Sequence, residues 1–207
     1  MFKIFKKQNN KNYGFTLVEL LVTISMFVII TGVVLVNSNK FDNTVLLHNF
    51  AYDVALTIKQ AQSYGVNVSE NISGTFNSAG EAYGVYFDLT QSKTNFVLFN
   101  DTNLSRKYDN SITICLSGDP ECIQKYSMTK GTYIKSICTG TSDVDCNPAS
   151  RLSLLFQRPN LNALIYTIGD DSSLSVAQAY AKIVLSASDQ ATSSVIVTSI
   201  GQIYVKQ

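Results

Sequence analysis

Few residues in this chain are of a type and in a pattern that could do chemistry. Glu19 stands in "GFTLVELLVTISMF", residues 14 to 27, as the sole charged group between Lys11 and Lys40. Four cysteines lie close together, Cys115 and Cys122 as C-x6-C, Cys138 and Cys146 as C-x7-C. Asp143, Asp145 and Asn147 alternate within "DVDCN", and His48 is the sole histidine. A carboxylate in an apolar stretch can pair with an amine, and four thiols can close two disulfides. The cysteine spacings do not suit a zinc knuckle, which favours two to four intervening residues. The alternating acids resemble the start of a calcium loop, but Pro148 stands where such a loop wants glycine and Leu154 where it wants a bidentate acid. A lone histidine, with no G-x-S-x-G, phosphate-loop or dinucleotide glycine pattern, points to no enzyme, no metal and no cofactor.

The elements that must position these residues can be read from charge and periodicity. The chain has 207 residues, 45% of them hydrophobic and 15% charged, with a formal net charge of +1, which excludes a disordered chain and a strongly basic nucleic-acid binder. Charge is unevenly spread: Lys3, Lys6, Lys7 and Lys11 give the first 14 residues +4 with no acid, leaving +1 − 4 = −3 for the remainder. From Phe15 to Val36 the residues are apolar apart from Thr16, Glu19, Thr23, Ser25, Thr31 and Gly32. As a helix this run would be roughly 33 Å long, enough to cross a bilayer's hydrocarbon. Basic residues before it predict a cytoplasmic N-terminus and an exported body. A cleaved secretory signal is disfavoured by the length of the apolar run and by the lack of a small-x-small site in "VLVNSNKFDNTV", residues 34 to 45.

Leu47, Phe50, Ala51, Val54, Ile58 and Ala61 follow the spacing of an amphipathic helix, and Gly65 is its expected stop. Residues 15 to about 64 could form one helix, with "NSNK" at 37 to 40 its weakest part. Beyond it, short runs separated by Gly, Asn, Asp, Ser or Pro predict strands over 82–89, 95–100, 111–116, 132–138, 151–157, 163–168, 181–187, 194–200 and 202–206. A long helix followed by many strands is an α+β arrangement with segregated layers. Each cysteine pair brackets a polar loop after a predicted strand. Of the three connectivities open to four cysteines, Cys115–Cys122 with Cys138–Cys146 is the first choice, and free thiols are the alternative. The Asn-x-Ser triplets at 67–69, 71–73 and 103–105 carry little weight in a chain rich in Asn and Ser.

A carboxylate at the centre of a bilayer costs about 2.5 to 3.5 kcal/mol, less near the end of a span. A cut after Gly14 would create an amine on Phe15 at the same depth as Glu19. On these residues, "GFTLVELLVTISMF" resembles the processing motif of type IV prepilins and pseudopilins: a basic leader ending in glycine, phenylalanine first in the mature chain, glutamate fifth. The resemblance covers residues 1 to about 36. It implies cleavage by a prepilin peptidase between Gly14 and Phe15, N-methylation of Phe15, and a contact in which Glu19 pairs with the N-terminal ammonium of a neighbouring subunit. Such a buried pair is better understood as fixing register than as adding stability. The helix-kinking proline of many major pilins is missing, with Gly32 and Val36 in that stretch.

The long helix, the strand-rich body and the terminal "VIVTSIGQIYVKQ" look most like the H-type minor pseudopilins, which implies a globular part of two antiparallel sheets packed on the helix. Some relatives bind DNA through arginines near a C-terminal glycine; Gly201 is followed by no arginine here, so nucleic acid is not expected as a partner. The expected organisation is a leader over 1–14, a transmembrane and assembly helix over 15–36, its amphipathic continuation over 37–65, and a β-rich domain over 66–207. The expected partners are other pilin or pseudopilin subunits, the peptidase, and membrane lipid before assembly. The chain would be held in the cytoplasmic membrane with its leader inside, then enter a pilus or pseudopilus. One rival is a single-pass anchor presenting a β-rich binding module; the other is a membrane-tethered enzyme.

Overall fold

A computed structural model describes residues 14–67, 82–115, 118–169, 172–188 and 190–206, with the side chains of 36–43 left aside. Residues 1–13 of the expected leader, residues 68–69 of the first Asn-x-Ser triplet and the whole triplet at 71–73 lie outside the described residues. The chain divides into two units, Met1–Phe41 and Asp42–Gln207. Helix α1, Leu17–Val66, contributes to both and passes Gly32 and the 37–40 stretch unbroken.

In the first unit, the segment Leu17–Leu35 has a mean hydropathy of 2.5 and no buried residue, so it is long and apolar enough to cross a membrane. It is rich in β-branched Val, Ile and Thr, which are indifferent helix formers in water. In hydrocarbon the helix is favoured because every backbone polar group must be satisfied within the segment. The hydroxyls follow the same rule: Thr23 donates to the Leu20 carbonyl at 2.9 Å, Ser25 to that of Val22 at 2.8 Å and Thr31 to that of Phe27 at 2.5 Å. These polar side chains need no outside partner.

The second unit is two five-stranded antiparallel sheets with the last part of α1. Sheet I has the order β3-β2-β1-β6-β7 and sheet II the order β10-β9-β8-β4-β5. Sheet I is built from β1 (Ala82–Asp88), β2 (Asn95–Asp101), β3 (Cys122–Ser127), β6 (Arg151–Phe156) and β7 (Ala163–Thr167). Sheet II is built from β4 (Tyr133–Gly140), β5 (Cys146–Ala149), β8 (Tyr180–Ser186), β9 (Thr192–Thr198) and β10 (Ile203–Lys206). β9 and β10 form a hairpin, with Val195 opposite Val205. This is the expected α+β class, with both sheets antiparallel.

The core lies between the inner faces of both sheets and one stripe of α1. Leu47, Ala51, Val54, Ile58 and Ala61 are buried on the helix against Val85, Phe87, Leu98, Leu152 and Leu154 of sheet I and Ala181, Ile183, Val195 and Val197 of sheet II. Burying Leu47, Val54 and Ile58 contributes roughly 5 to 9 kcal/mol before chain entropy is counted. The helix ends at Val66, one residue past the expected stop at Gly65, and a Cβ at Gly65 would lie 2.3 Å from the Phe156 carbonyl oxygen, so glycine there also serves close approach of α1 to β6.

Two strand expectations need correction. Residues 111–115 form no strand: Ile112 and Thr113 lie in a turn, and the apolar character of Ile112 comes from covering the outer face of sheet I, where it packs with Tyr86, Val97, Phe99 and Tyr108. Conversely β3 and β5, at the edges of their sheets, are absent from the predicted strands. β3 carries polar Gln124 and Lys125, and β5 contains Pro148, which an edge strand tolerates because one side of it makes no ladder.

Candidate functional site

Gly14, Phe15 and Thr16 precede the helix in non-helical conformation, and all three are exposed, Phe15 at 82%. The peptide between Gly14 and Phe15 is therefore outside any hydrogen-bonded element, as a protease requires of its substrate, and nothing lies within 4 Å of the position a Gly14 Cβ would take.

Glu19 lies in the first turn of α1. Its Oε2 accepts from the Thr16 amide at 3.0 Å and from the Thr16 hydroxyl at 2.9 Å, while its own amide donates to Thr16 Oγ1 at 3.3 Å. This reciprocal pair is a capping box, which satisfies amides that the helix itself leaves open. The T-x-x-E spacing that signals it, Thr16 to Glu19, is visible in the sequence. Oε2 alone of the two oxygens takes part in these bonds, and Glu19 is exposed on an apolar surface. Around it Leu17, Val18, Leu20, Leu21, Phe27 and Ile30 are all exposed. A continuous apolar surface of this kind marks a membrane or a protein partner.

The cysteines are joined as Cys115–Cys122 and Cys138–Cys146, with Cα separations of 5.8 and 5.3 Å. Cys122 opens β3, and the bridge ties back the loop that covers sheet I. Cys138 and Cys146 belong to β4 and β5, joined by a turn over 141–145. Gly140 is required there, since a Cβ would fall 1.7 Å from the Asp145 carbonyl oxygen.

Within that turn Asp143 is fully engaged. Its Oδ1 accepts from Lys182 Nζ at 2.7 Å and the Tyr180 hydroxyl at 3.2 Å, and its Oδ2 from Lys206 Nζ at 3.0 Å. These donors, Lys182 first and Lys206 next, hold its carboxyl far below the usual range. Asp145 accepts from the Thr141 hydroxyl at 2.9 Å, so "DVDCN" is a satisfied turn. His48 is half-buried on α1.

A second acidic group was not singled out from the sequence. Asp101 ends β2, and Glu121 precedes β3; the Asn100 amide donates to the Glu121 carbonyl at 2.8 Å and so brings them together. Asp101 Oδ2 accepts from the Arg106 amide at 3.0 Å, and Glu121 Oε2 from the Asp109 amide at 3.3 Å. Asp119 Oδ2 accepts from the Tyr108 hydroxyl at 2.5 Å, and Oδ1 from the Glu121 amide at 3.0 Å. Burial, reinforced by Asp109, Asp101 and Asp119, pushes Glu121 up to about 7. Burial also raises Asp101, opposed by the amides of Arg106 and Ser105.

The model of the prokaryotic N-terminal methylation motif matches residues 9–35. That interval holds the Gly14-Phe15 peptide, the capping box and most of the apolar segment. No curated protein and no solved structure matches the chain.

Proposed function

We propose, from the premise that this chain carries the N-terminal methylation motif of type IV prepilins, that it is a minor pilin or pseudopilin: a structural subunit of a type IV pilus or a type II secretion pseudopilus. The observation that carries this reading is the coincidence, inside the matched interval, of an exposed Gly14-Phe15 junction with Glu19 one turn into an apolar helix. A prepilin peptidase removes residues 1–14 on the cytoplasmic side and methylates Phe15. The segment 15–36 holds the subunit in the membrane and then packs against the same segment of neighbouring subunits, residues 37–65 continue the helix, and the β-rich domain over 66–207 is exported. Of the subtypes, the H-type minor pseudopilin suits two antiparallel sheets packed on one helix, and a large strand-rich body favours a minor over a major subunit. The subunit catalyses no reaction.

The capping box supports a specific role for Glu19. In the unassembled chain its carboxylate is held by Thr16, so the acid enters the membrane already half-solvated by its own helix. In the filament the same carboxylate takes the Phe15 ammonium of the next subunit, fixing axial register. Breaking one half of such a buried pair costs about 3 to 5 kcal/mol. Glu19→Ala is therefore expected to insert normally into membranes while its incorporation into filaments collapses, read by co-purification with sheared filaments. Mass spectrometry of the mature N-terminus tests the wider reading: N-methylated Phe15 is the expected result. An intact Met1, or a cut beyond Val36, would instead support a single-pass anchor presenting a β-rich module.

A further inference from the structure

From Asp101 to Asp109 the chain places an oxygen-bearing side chain at nearly every second residue: Asp101, Asn103, Ser105 and Asp109, with the main-chain carbonyl of Lys107 in the remaining place. Calcium loops wrap their cation in this order, with side chains at the first, third, fifth and ninth positions, a carbonyl at the seventh, and a sharp turn at the sixth. The sixth residue here is Arg106, and its φ of 63° is the left-handed conformation that glycine supplies in such loops. The internal bonds also fit. Asp101 Oδ2 takes the amide of the sixth residue at 3.0 Å, Asn103 Oδ1 takes the Ser105 amide at 2.9 Å, and the Ser105 hydroxyl donates to the Lys107 carbonyl at 2.9 Å. The eighth residue, Tyr108, is buried, and so anchors the loop to the domain.

The bidentate acid that completes such a loop is missing from its twelfth place, which Ile112 occupies in the core. Glu121 supplies one from outside the loop, because β2–β3 pairing brings it beside the Asp109 amide. The independent sign of a ligand is that two of these oxygens are sealed from solvent with no donor. Asp101 is 1% exposed and its Oδ1 is unpartnered; Glu121 is 3% exposed and its Oε1 is unpartnered. Burying carboxylate oxygens without a counter-charge or hydrogen bond is unfavourable. Neither of the nearest cations is bonded to these two oxygens, although Lys107 sits on Asp109 within the same loop. The Arg106 guanidinium donates to the Tyr166 hydroxyl at 2.7 Å and lies 5.4 Å from the ring centroid, and Lys107 Nζ reaches only Asp109 Oδ1, at 3.2 Å.

We propose that residues 101–109, completed by Glu121, form a calcium-binding site on the β-rich unit, with Asp101, Asn103, Ser105, the Lys107 carbonyl, Asp109 and Glu121 as its ligands. Among the described residues no three His, Cys, Asp or Glu side chains are already gathered around one point. Binding therefore includes release of Asp109 from Lys107 at Oδ1 and from the Asn103 side-chain amide, which donates to its Oδ2 at 2.7 Å, and rotation of the Glu121 carboxylate toward Asp101. Three carboxylates on a flexible, all-oxygen loop suit Ca²⁺; Mg²⁺ demands a tighter octahedron and keeps most of its water.

The test uses the full chain in detergent, stripped with EDTA, titrated with CaCl₂ by calorimetry and followed in parallel by Tyr-sensitised Tb³⁺ luminescence. The expected result is one saturable site per chain with a midpoint of about 10⁻⁴ to 10⁻³ M, the range of extracellular calcium modules. Millimolar Mg²⁺ should leave the Tb³⁺ signal in place. Asp109→Asn and Glu121→Gln should each weaken binding tenfold or more, while Asp145→Asn, in the other loop, should bind as the unaltered chain does. Variants are compared only with their near-ultraviolet circular dichroism in EDTA unchanged; Asp109, partly exposed, serves if the Glu121 variant fails that check. Absence of saturable binding up to 10 mM CaCl₂, or undiminished binding by the folded Asp109 variant, overturns the proposal.

Discussion

The β-rich unit carries two loops held by disulfides, the β2–β3 connection tied at Cys115–Cys122 and the β4–β5 connection tied at Cys138–Cys146, and they treat their residues in opposite ways. The segment before Cys122 lies over the outer face of sheet I, burying Tyr108 and Ile112 against Tyr86, Val97 and Phe99, with ring contacts of 6.3 Å between Tyr108 and Tyr86 and 5.8 Å between Tyr108 and Phe99. The segment before Cys146 covers no such core and leaves Val144 fully in solvent at its tip. The carboxylates are reversed in the same sense. Asp101 and Glu121 are buried with unpartnered oxygens, whereas Asp143 is exposed to solvent and takes three donors. One loop acts as a wall of the domain with an electrostatic deficit inside it; the other is a surface strap whose charges are already balanced.

The largest effect that would sharpen this contrast is on packing. Ile112 is 0% exposed and Val144 is 99% exposed. Ile112→Ala should destabilise the domain by about 2 to 5 kcal/mol, as buried aliphatic truncations do. Val144→Ala should stay within about 0.5 kcal/mol. Urea unfolding of both variants in the same detergent decides it. A shift of less than about 1 kcal/mol for Ile112→Ala would mean that the first loop does not pack as a wall.

Next in size is the pair of crosslinks. Their sequence separations are 7 and 8, so loop-closure entropy assigns each about 2.5 kcal/mol. Replacing Cys115 and Cys122 together by serine should cost more than this, because it also loosens the cover over sheet I. Replacing Cys138 and Cys146 should cost no more, since β4 and β5 stay paired through Ile137 with Ala149 and Thr139 with Asn147. Equal losses in the two double variants would break the contrast, by showing that packing holds the first loop without help from its bridge.

The same contrast explains what was legible in the sequence. β8 from Ala181 to Leu185 and β10 throughout alternate more and less buried residues because sheet II has one face on the core, and such strands announce themselves by period two. β1 is buried at all seven positions because sheet I is covered on both faces, so it reads as an apolar run instead. The cover itself was misread. "SITICL" is apolar enough for a strand, yet its Ile112 is a lid residue in a turn, and no local pattern distinguishes the two. Edge strands β3 and β5 were hidden by polar residues and proline. In the amino-terminal segment the motif is local and therefore readable: Gly14, Phe15 and Glu19 stand within six consecutive residues. The group around Asp101 was half-readable, since the alternation from Asp101 to Asp109 is visible in one line of sequence, but Glu121 joins it only through β2–β3 pairing.

The smallest effect concerns the strap, where the sign follows from Asp143. Its carboxyl is held below the ordinary range by Lys182 and then Lys206, so the folded state binds the proton more weakly than the unfolded chain. A depressed carboxylate contributes stability that is fully present above the unfolded value, about 3.9, and is lost as pH falls through the folded value. The melting temperature of the unaltered chain should therefore exceed that of Asp143→Asn at neutral pH, with the gap closing as the solution is acidified below about pH 4. Because the group is exposed, salt should also narrow the gap at neutral pH, since a Debye length of about 8 Å at 0.15 M shrinks to about 3 Å at 1 M. Lys206→Met should reproduce part of the loss and also loosen β10, whose terminal residue is tied to the strap through this bond. A gap that is indifferent to both pH and salt would show that Asp143 holds the strap by shape and hydrogen-bond geometry, and the balance of charge that separates the two loops would then be incidental to their stability.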